Sequence, residues 1–199
     1  MVEPQSRDVA RSVSFLLNLD RLKEVRRQNP IANGGRRERT AEHSWHVAVA
    51  AGIFAPFSAE PIDVGKAVQL AVLHDLPEVV VGDTFVYGPR VAARREREEH
   101  GLRALLATLG EPQAQQIHAA WSEYEYETTP EGRYVMALDV MLPVFLNLAA
   151  GHESSWIRHG VTADAVRGRI ESVRSAIPEL ADAALEAVEE AVKGGLLRP

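Results

Sequence analysis

The segment AVLHDLPEVVVGDT, residues 71–84, sets His74 beside Asp75, with Glu78 and Asp83 following, in otherwise apolar surroundings. Imidazoles and carboxylates placed there need a partner, because an unpaired buried charge costs far more than the packing around it returns. Asp139 poses the same problem. It lies among Val135, Met136, Leu138, Val140, Met141 and Leu142, so almost any rotation of a helix sets apolar side chains against its carboxylate. His43 opens a run of small and apolar residues, which puts its imidazole near the edge of a core. One divalent ion bound by His43, His74, Asp75 and Asp139 would satisfy all four groups together. Two imidazoles and two carboxylates suit Mn, Co, Fe or Zn better than Ca, which prefers an all-oxygen shell, and ligand type alone does not choose among Mn, Co, Fe, Mg and Zn. An ion with open positions can acidify water and polarise a phosphoryl oxygen, which is hydrolase chemistry.

The elements that must carry these residues read as helices. Apolar residues recur at three and four positions along most of the chain, and no segment shows sustained β-branched alternation, so the expectation is an all-α, single-domain helical bundle. Residues 9–27 carry a stripe of Val13, Leu16, Leu17, Leu19, Leu22 and Val25, ended by the loop NPIANGG. Thr40 can cap the helix bearing His43 and His46. Asp63 can cap the next, with Val64, Ala67, Val68 and Ala71 inward. Pro77 should end that helix, since it has no N–H and disfavours helix at Leu76. A charged helix follows over 90–109, then one within EPQAQQIHAAWSEYEYE. The most buried helix starts at Thr129 or the preceding turn and stops at Gly151. Helices over 163–176 and in the final PELADAALEAVEEAVKGG pack on a motif-bearing core of about residues 10–170, so that residues 1–199 form one domain.

The composition is that of an ordinary globular chain: 199 residues, 46% hydrophobic and 25% charged. A net charge of -6, from 28 acidic and 22 basic residues, gives no basic footprint for nucleic acid. With no cysteine there is no disulfide, thiolate nucleophile or Cys-based zinc site. The N-terminal MVEPQSRDVARS lacks a signal pattern, and the run ALDVMLPVFLNLAA is broken by Asp139, Pro143 and Asn147 and is short for a bilayer. These features lead to the expectation of a cytoplasmic protein that does not engage membranes.

RRQ, then RRERTAEHSWHVA, HDLPEVVVGDT, ALDVMLPVFLN and SWIRHGVT together resemble the HD-domain metal-dependent phosphohydrolases, in the branch related to bacterial 5'-deoxynucleotidases. The resemblance covers roughly residues 10–170 and implies an all-helical HD fold, one divalent metal ion, a small-molecule phosphate ester as substrate and a homodimer. Carried over residue by residue, it makes His43, His74, Asp75 and Asp139 the metal ligands. Glu78 then matches the acid three beyond the HD pair and Asp83 the aspartate of the family's GD turn, both in catalytic positions. Arg27 matches the phosphate-binding arginine, with Arg26, Arg36, Arg37 and Arg39 as competitors. A guanidinium keeps its charge and fits two phosphate oxygens.

Other residues have blander readings beside functional ones. By spacing, His46 competes with His43. His100 and His118 could serve a second ion, though a charged helix points His100 to solvent. Trp45 and Phe85 could line a base pocket or fill core. RREREE reads as a solvated face or the rim of a pocket, and SWIRHGVT as a loop with Thr162 capping the next helix. The function implied is hydrolysis of nucleoside or deoxynucleoside 5'-monophosphates. Hydrolysis of a nucleoside triphosphate or another phosphorylated metabolite, or a catalytically silent metal-stabilised interaction domain, stand as alternatives.

Overall fold

The computed structural model describes residues 4–88 and 93–199. The fold is built around α7, Pro130–Ala150. Its start is fixed by Thr129, whose side chain accepts a hydrogen bond from the Gly132 N–H, and by Pro130, which needs no N–H there. Gly151, at φ +59°, stops it. At 21 residues α7 is longer than the apolar run within it and reaches the length of a bilayer-spanning helix. Here it packs against α2 (Thr40–Ile53), α3 (Val64–Leu73), α6 (Glu111–Glu125), α9 (Ala163–Val173) and α10 (Pro178–Lys193). Tyr134, Val135, Leu138 and Met141 meet Val47, Leu70, Ala71, Ile170, Ile177 and Val188 in one continuous core. Pro143 has no N–H to offer the Asp139 carbonyl, so the helical ladder is interrupted at the turn that carries this acid.

A second, smaller cluster joins Phe15, Leu22, Leu76, Val79, Leu102 and Trp121 beneath α1 (Pro4–Leu19), α4 (Glu78–Val81), α5 (Arg94–Leu106) and α6. The seam between the two clusters is where the His-Asp segment lies. Asp63 caps α3 by accepting from the Lys66 N–H, and α3 ends at Leu73, ahead of Pro77, as the sequence predicts. Within α3, Leu70 rather than Val64 takes the inward place; Val64 is exposed.

Four expectations are corrected. The helix expected over 9–27 ends at Leu19. After a 3-10 turn, Asp20–Lys23, the chain forms β1, Arg26–Pro30, paired antiparallel with β2, Arg37–Arg39. Arg27 is therefore a strand residue, and NPIANGG begins inside β1. The stripe on α1 is not a buried face: Val9, Val13, Leu16 and Leu17 are exposed, and Phe15 and Leu22 supply its packing. Thr40 is no cap. It is fully buried as the first residue of α2, and the helix entry is held by the Arg39 N–H donating to Glu42 at 3.1 Å. SWIRHGVT contains α8, Ser155–His159, capped by Ser154, with Trp156 in the core; Thr162 does cap α9. Residues 90–92 of the expected charged helix lie outside the described residues.

Gly132 marks a close approach of α6 and α7: a Cβ built there would stand 2.2 Å from the Glu123 carbonyl oxygen. Backbone cannot yield as a side chain can, so Gly132→Ala is expected to lower stability by about 3 kcal/mol, at the upper end for overpacking. For a chain of this size that is a fall in Tm of roughly 6–12 °C. Thermal unfolding followed by circular dichroism checks it.

Candidate metal centre

The local chain path explains how the chemical groups converge. The His74 N–H closes the last turn of α3 on the Leu70 carbonyl, while its ring Nδ1 lies 2.7 Å from the Ala71 carbonyl. A carbonyl only accepts, so Nδ1 carries a proton. Nε2 is then the free face of the ring. It is buried without a hydrogen-bond partner, 3.1 Å from Asp75 Oδ2 and 3.8 Å from Asp139 Oδ1. On α2, His43 stands between two acids as well. Its Nε2 is 2.8 Å from Asp139 Oδ1 and its Nδ1 is 3.3 Å from Glu38 Oε2, a separation without hydrogen-bond alignment. Each imidazole thus turns a nitrogen toward the carboxylates of Asp75 and Asp139. At 2.8 Å the His43 Nε2–H can donate to Asp139, but the His74 Nε2 lone pair, aimed at anionic oxygens with its proton on Nδ1, repels them unless a cation stands among them.

The electrostatics express the same need. Burial by itself would lower the basicity of His74, but Asp75 and Asp139 raise its pKa well above the ordinary value. Desolvation would raise the Asp75 carboxyl, yet His74 and Arg27 bring it down to about 2. Asp139, despite its desolvation, is held well below the carboxylate range by His43 and His74. A proton on His74 and a divalent cation at this point answer the same demand, and the donor set fits a borderline divalent ion. His43, His74 and Asp75 offer ligand atoms all within 4.8 Å of one another, and Asp139 Oδ1 lies against both imidazoles.

Around these groups sit the remaining predicted residues. Arg27 points from β1 into the acids: Nη1 is 2.6 Å from Asp75 Oδ2, 3.9 Å from Glu78 and 4.0 Å from Asp83, Nη2 is 3.5 Å from Asp139, and Nε is 3.8 Å from Glu38. Burial and the neighbouring Asp75 hold the Glu78 carboxyl well above its usual value; Thr40 Oγ1 donates to it at 2.6 Å. Asp83 is raised too, chiefly by burial. Asp75 and Asp139 are partly exposed, because both open onto a cavity of about 240 Å³. Arg27, Glu78 and Asp83 line the same cavity, with Arg94, Glu98, Met136 and Arg169 on other walls.

The structure leaves other candidates outside. His46 stacks on Trp45, which is 66% exposed; both line a separate pocket of about 430 Å³ with Arg36, Glu42 and Leu146, and neither lines the cavity onto which Asp75 and Asp139 open. His100 is exposed, and the His118 ring contacts Trp121 away from the acids. Phe85 packs against Tyr87 and His159. RREREE is more than a solvated face: Glu98 is buried, and Arg94 reaches Glu98 and Glu125 at the cavity wall.

Three neighbours of the site have no functional reading in the sequence, Thr40 being read there only as a helix cap. Tyr124 donates its hydroxyl to Asp139 Oδ2 at 2.9 Å, Thr40 holds Glu78, and Glu38 stands behind His43. A carboxylate 3.3 Å from the second nitrogen of a ligating imidazole, even without hydrogen-bond alignment, favours by its charge the tautomer with a proton on that nitrogen and raises the ring's basicity. Glu38→Gln is therefore expected to weaken divalent-metal binding by about 10- to 100-fold. Competition against a chelator of known affinity measures this.

A family model described as the HD domain matches residues 19–181. The 5'-deoxynucleotidase HDDC2 of Bos taurus is 30% identical over 130 residues, covering 64% of this chain and 62% of that protein. The protein of the same name from Homo sapiens is 30% identical over 134 residues, covering 65% and 64%. The chain thus matches less than two thirds of the length of these relatives. Among solved structures, one described as a predicted metal-dependent phosphohydrolase from Magnetospirillum magnetotacticum MS-1 aligns with a TM-score of 0.89 at 33% identity, over 97% of this chain and 100% of that one. A conserved hypothetical protein from Pyrococcus furiosus has the same fold, with a TM-score of 0.63 at 21% identity, over 89% of this chain and 99% of that one.

Proposed function

The chain belongs to the HD-domain family, and from that premise we propose that it is a metal-dependent phosphomonoesterase releasing phosphate from nucleoside or deoxynucleoside 5'-monophosphates. The observation that carries the reading is His74: Nδ1 is committed to the Ala71 carbonyl and Nε2 is buried and unpartnered against two carboxylates. Such a nitrogen needs a cation, and the cavity beside it is edged by two further acids, Glu78 and Asp83, that a purely structural ion would not require. The names carried by the relatives, 5'-deoxynucleotidase and metal-dependent phosphohydrolase, support the substrate class and the reaction.

In this reading His43, His74, Asp75 and Asp139 hold one divalent ion, of the Mn, Co, Fe, Mg or Zn group. When bound, it acidifies water and polarises a phosphoryl oxygen. Glu78 takes the proton of the attacking water; its raised basicity, set by burial, makes it a better acceptor than an ordinary carboxylate. As the water oxygen bonds to phosphorus and the bond to the sugar oxygen breaks, Asp83, also raised by burial, gives a proton to the departing alcohol. Arg27 orients phosphate oxygens from β1. Residues 1–199 act as one HD unit. The exposed apolar face of α1, with Val9, Val13, Leu16 and Leu17, supports a homodimer, which light scattering after size exclusion tests.

Product analysis separates this reaction from its nearest relatives. Incubation with each nucleoside monophosphate should yield nucleoside and orthophosphate in equal amounts. Release of pyrophosphate or tripolyphosphate from triphosphates, with monophosphates untouched, would replace the reading.

A further inference from the structure

A dianionic phosphate must enter a cavity whose floor is acidic. Arg27, the cation on that floor, already lies within ion-pair distance of Glu38, Asp75, Glu78, Asp83 and Asp139. Even with Asp83 holding its proton, the other four carboxylates outnumber the three positive charges of one guanidinium and a divalent ion. The floor therefore offers a phosphate less attraction than its residue types suggest. A further cation, not already engaged by an acid, has to face the same space.

The cavity walls bring in three more arginines. Arg94 is engaged by Glu98 and Glu125, and Arg95 by Glu125, whose Oε1 lies 3.0 Å from its Nε. Arg169 differs from both. Among the described residues its guanidinium has no carboxylate within ion-pair distance and no hydrogen-bond partner, while its helix neighbour Arg167 pairs with Asp164 and Glu189. Arg169 is half-buried on α9 and lines both the main cavity and an adjoining cleft of about 40 Å³. Arg27 and Asp139 line these same two spaces, so Arg169 faces the junction from the wall formed by α9. Ser172, the other polar side chain of α9 on the cavity, turns its hydroxyl back to the Arg169 carbonyl at 2.7 Å.

We propose that Arg169 is a substrate-positioning residue that takes non-bridging oxygens of the substrate's phosphate from the α9 wall, opposite the acids. This rests on the phosphomonoesterase reading and names the cation that makes the acidic floor hospitable to its substrate. The guanidinium fork suits two oxygens of one phosphate, and a partly desolvated charge is attracted more strongly than one on open surface.

The test compares wild type with Arg169→Ala, Arg169→Lys and Arg167→Ala, each loaded with the same divalent ion. Two readouts are taken: kcat and KM for a nucleoside monophosphate, and the dissociation constant of inorganic phosphate from calorimetric titration. Arg169→Ala should raise KM and the phosphate dissociation constant by about ten- to a hundredfold, the range for losing a hydrogen bond to a charged group. Its kcat should change by less than about threefold, because the loss is in binding. Arg169→Lys should recover part of the loss. Arg167→Ala, which removes the same charge from the outer face of α9, should match wild type. Arg169→Ala binding phosphate within about twofold of wild type overturns the inference, as does wild type that binds no phosphate. If wild type binds phosphate yet hydrolyses no monophosphate, the functional reading fails, and the titration alone decides for or against Arg169.

Discussion

Asp75→Asn loses divalent-metal binding and, with it, turnover by a factor on the order of 10³ or more, while the helical circular dichroism spectrum stays that of wild type. The size follows from the chemistry a divalent ion supplies, several kcal/mol of stabilisation for the charge that develops on a phosphoryl oxygen, at about 1.4 kcal/mol per tenfold in rate. The isosteric amide is chosen because Asp75 also faces Arg27 at 2.6 Å and His74 at 3.1 Å. Asparagine keeps the volume and one acceptor oxygen there, so the change removes charge rather than opening a hole beside Leu76. Equilibrium dialysis gives the metal content and a phosphate assay gives the rate. Retention of metal and activity together would remove Asp75 from the ligand set.

Glu78→Gln separates the proton chemistry from metal binding. The glutamine amide can still accept from Thr40, whose hydroxyl lies 2.6 Å from the native carboxylate, so the start of α4 and the packing of Val79 are preserved. What is lost is the group that takes the proton. The expected result is a fall in kcat of about 10²- to 10⁴-fold, the usual contribution of a positioned general base, with metal affinity within a few-fold of wild type. A structural role for Glu78 would give the reverse pattern: normal kcat per folded molecule and a lowered Tm.

What could be read from the sequence were the places where residue type and local pattern conflict. His74, Asp75 and Asp139 stood out because each is a charged or polar group in an apolar helical context, and the fold brings all three together. Thr129, Pro130 and Gly151 punctuate α7 by residue chemistry that acts locally, so its ends were legible. The strands β1 and β2 were not. Their alternation is carried by arginines and glutamate rather than by apolar residues, and a two-stranded pairing leaves little hydrophobic signal. The same alternation holds the clue to Glu38 and Thr40. In RRERT these two share the face opposite Arg37 and Arg39, and that face is buried. Tyr124 reaches Asp139 only through the approach of α6 to α7 at Gly132, a tertiary fact with no local trace. The α1 stripe was legible as a pattern, but periodicity shows that a face is apolar, not that anything in the same chain covers it.

The most direct test of the account is phosphate release by protein stripped of metal, with single divalent ions returned one at a time, across the ribo- and deoxyribonucleoside 5'-monophosphates. The account predicts no release from the stripped protein, release restored by at least one of Mn, Co, Fe, Mg or Zn, and none from Asp75→Asn under the same conditions. Release that persists in the stripped protein, or that Asp75→Asn supports equally well, would contradict it.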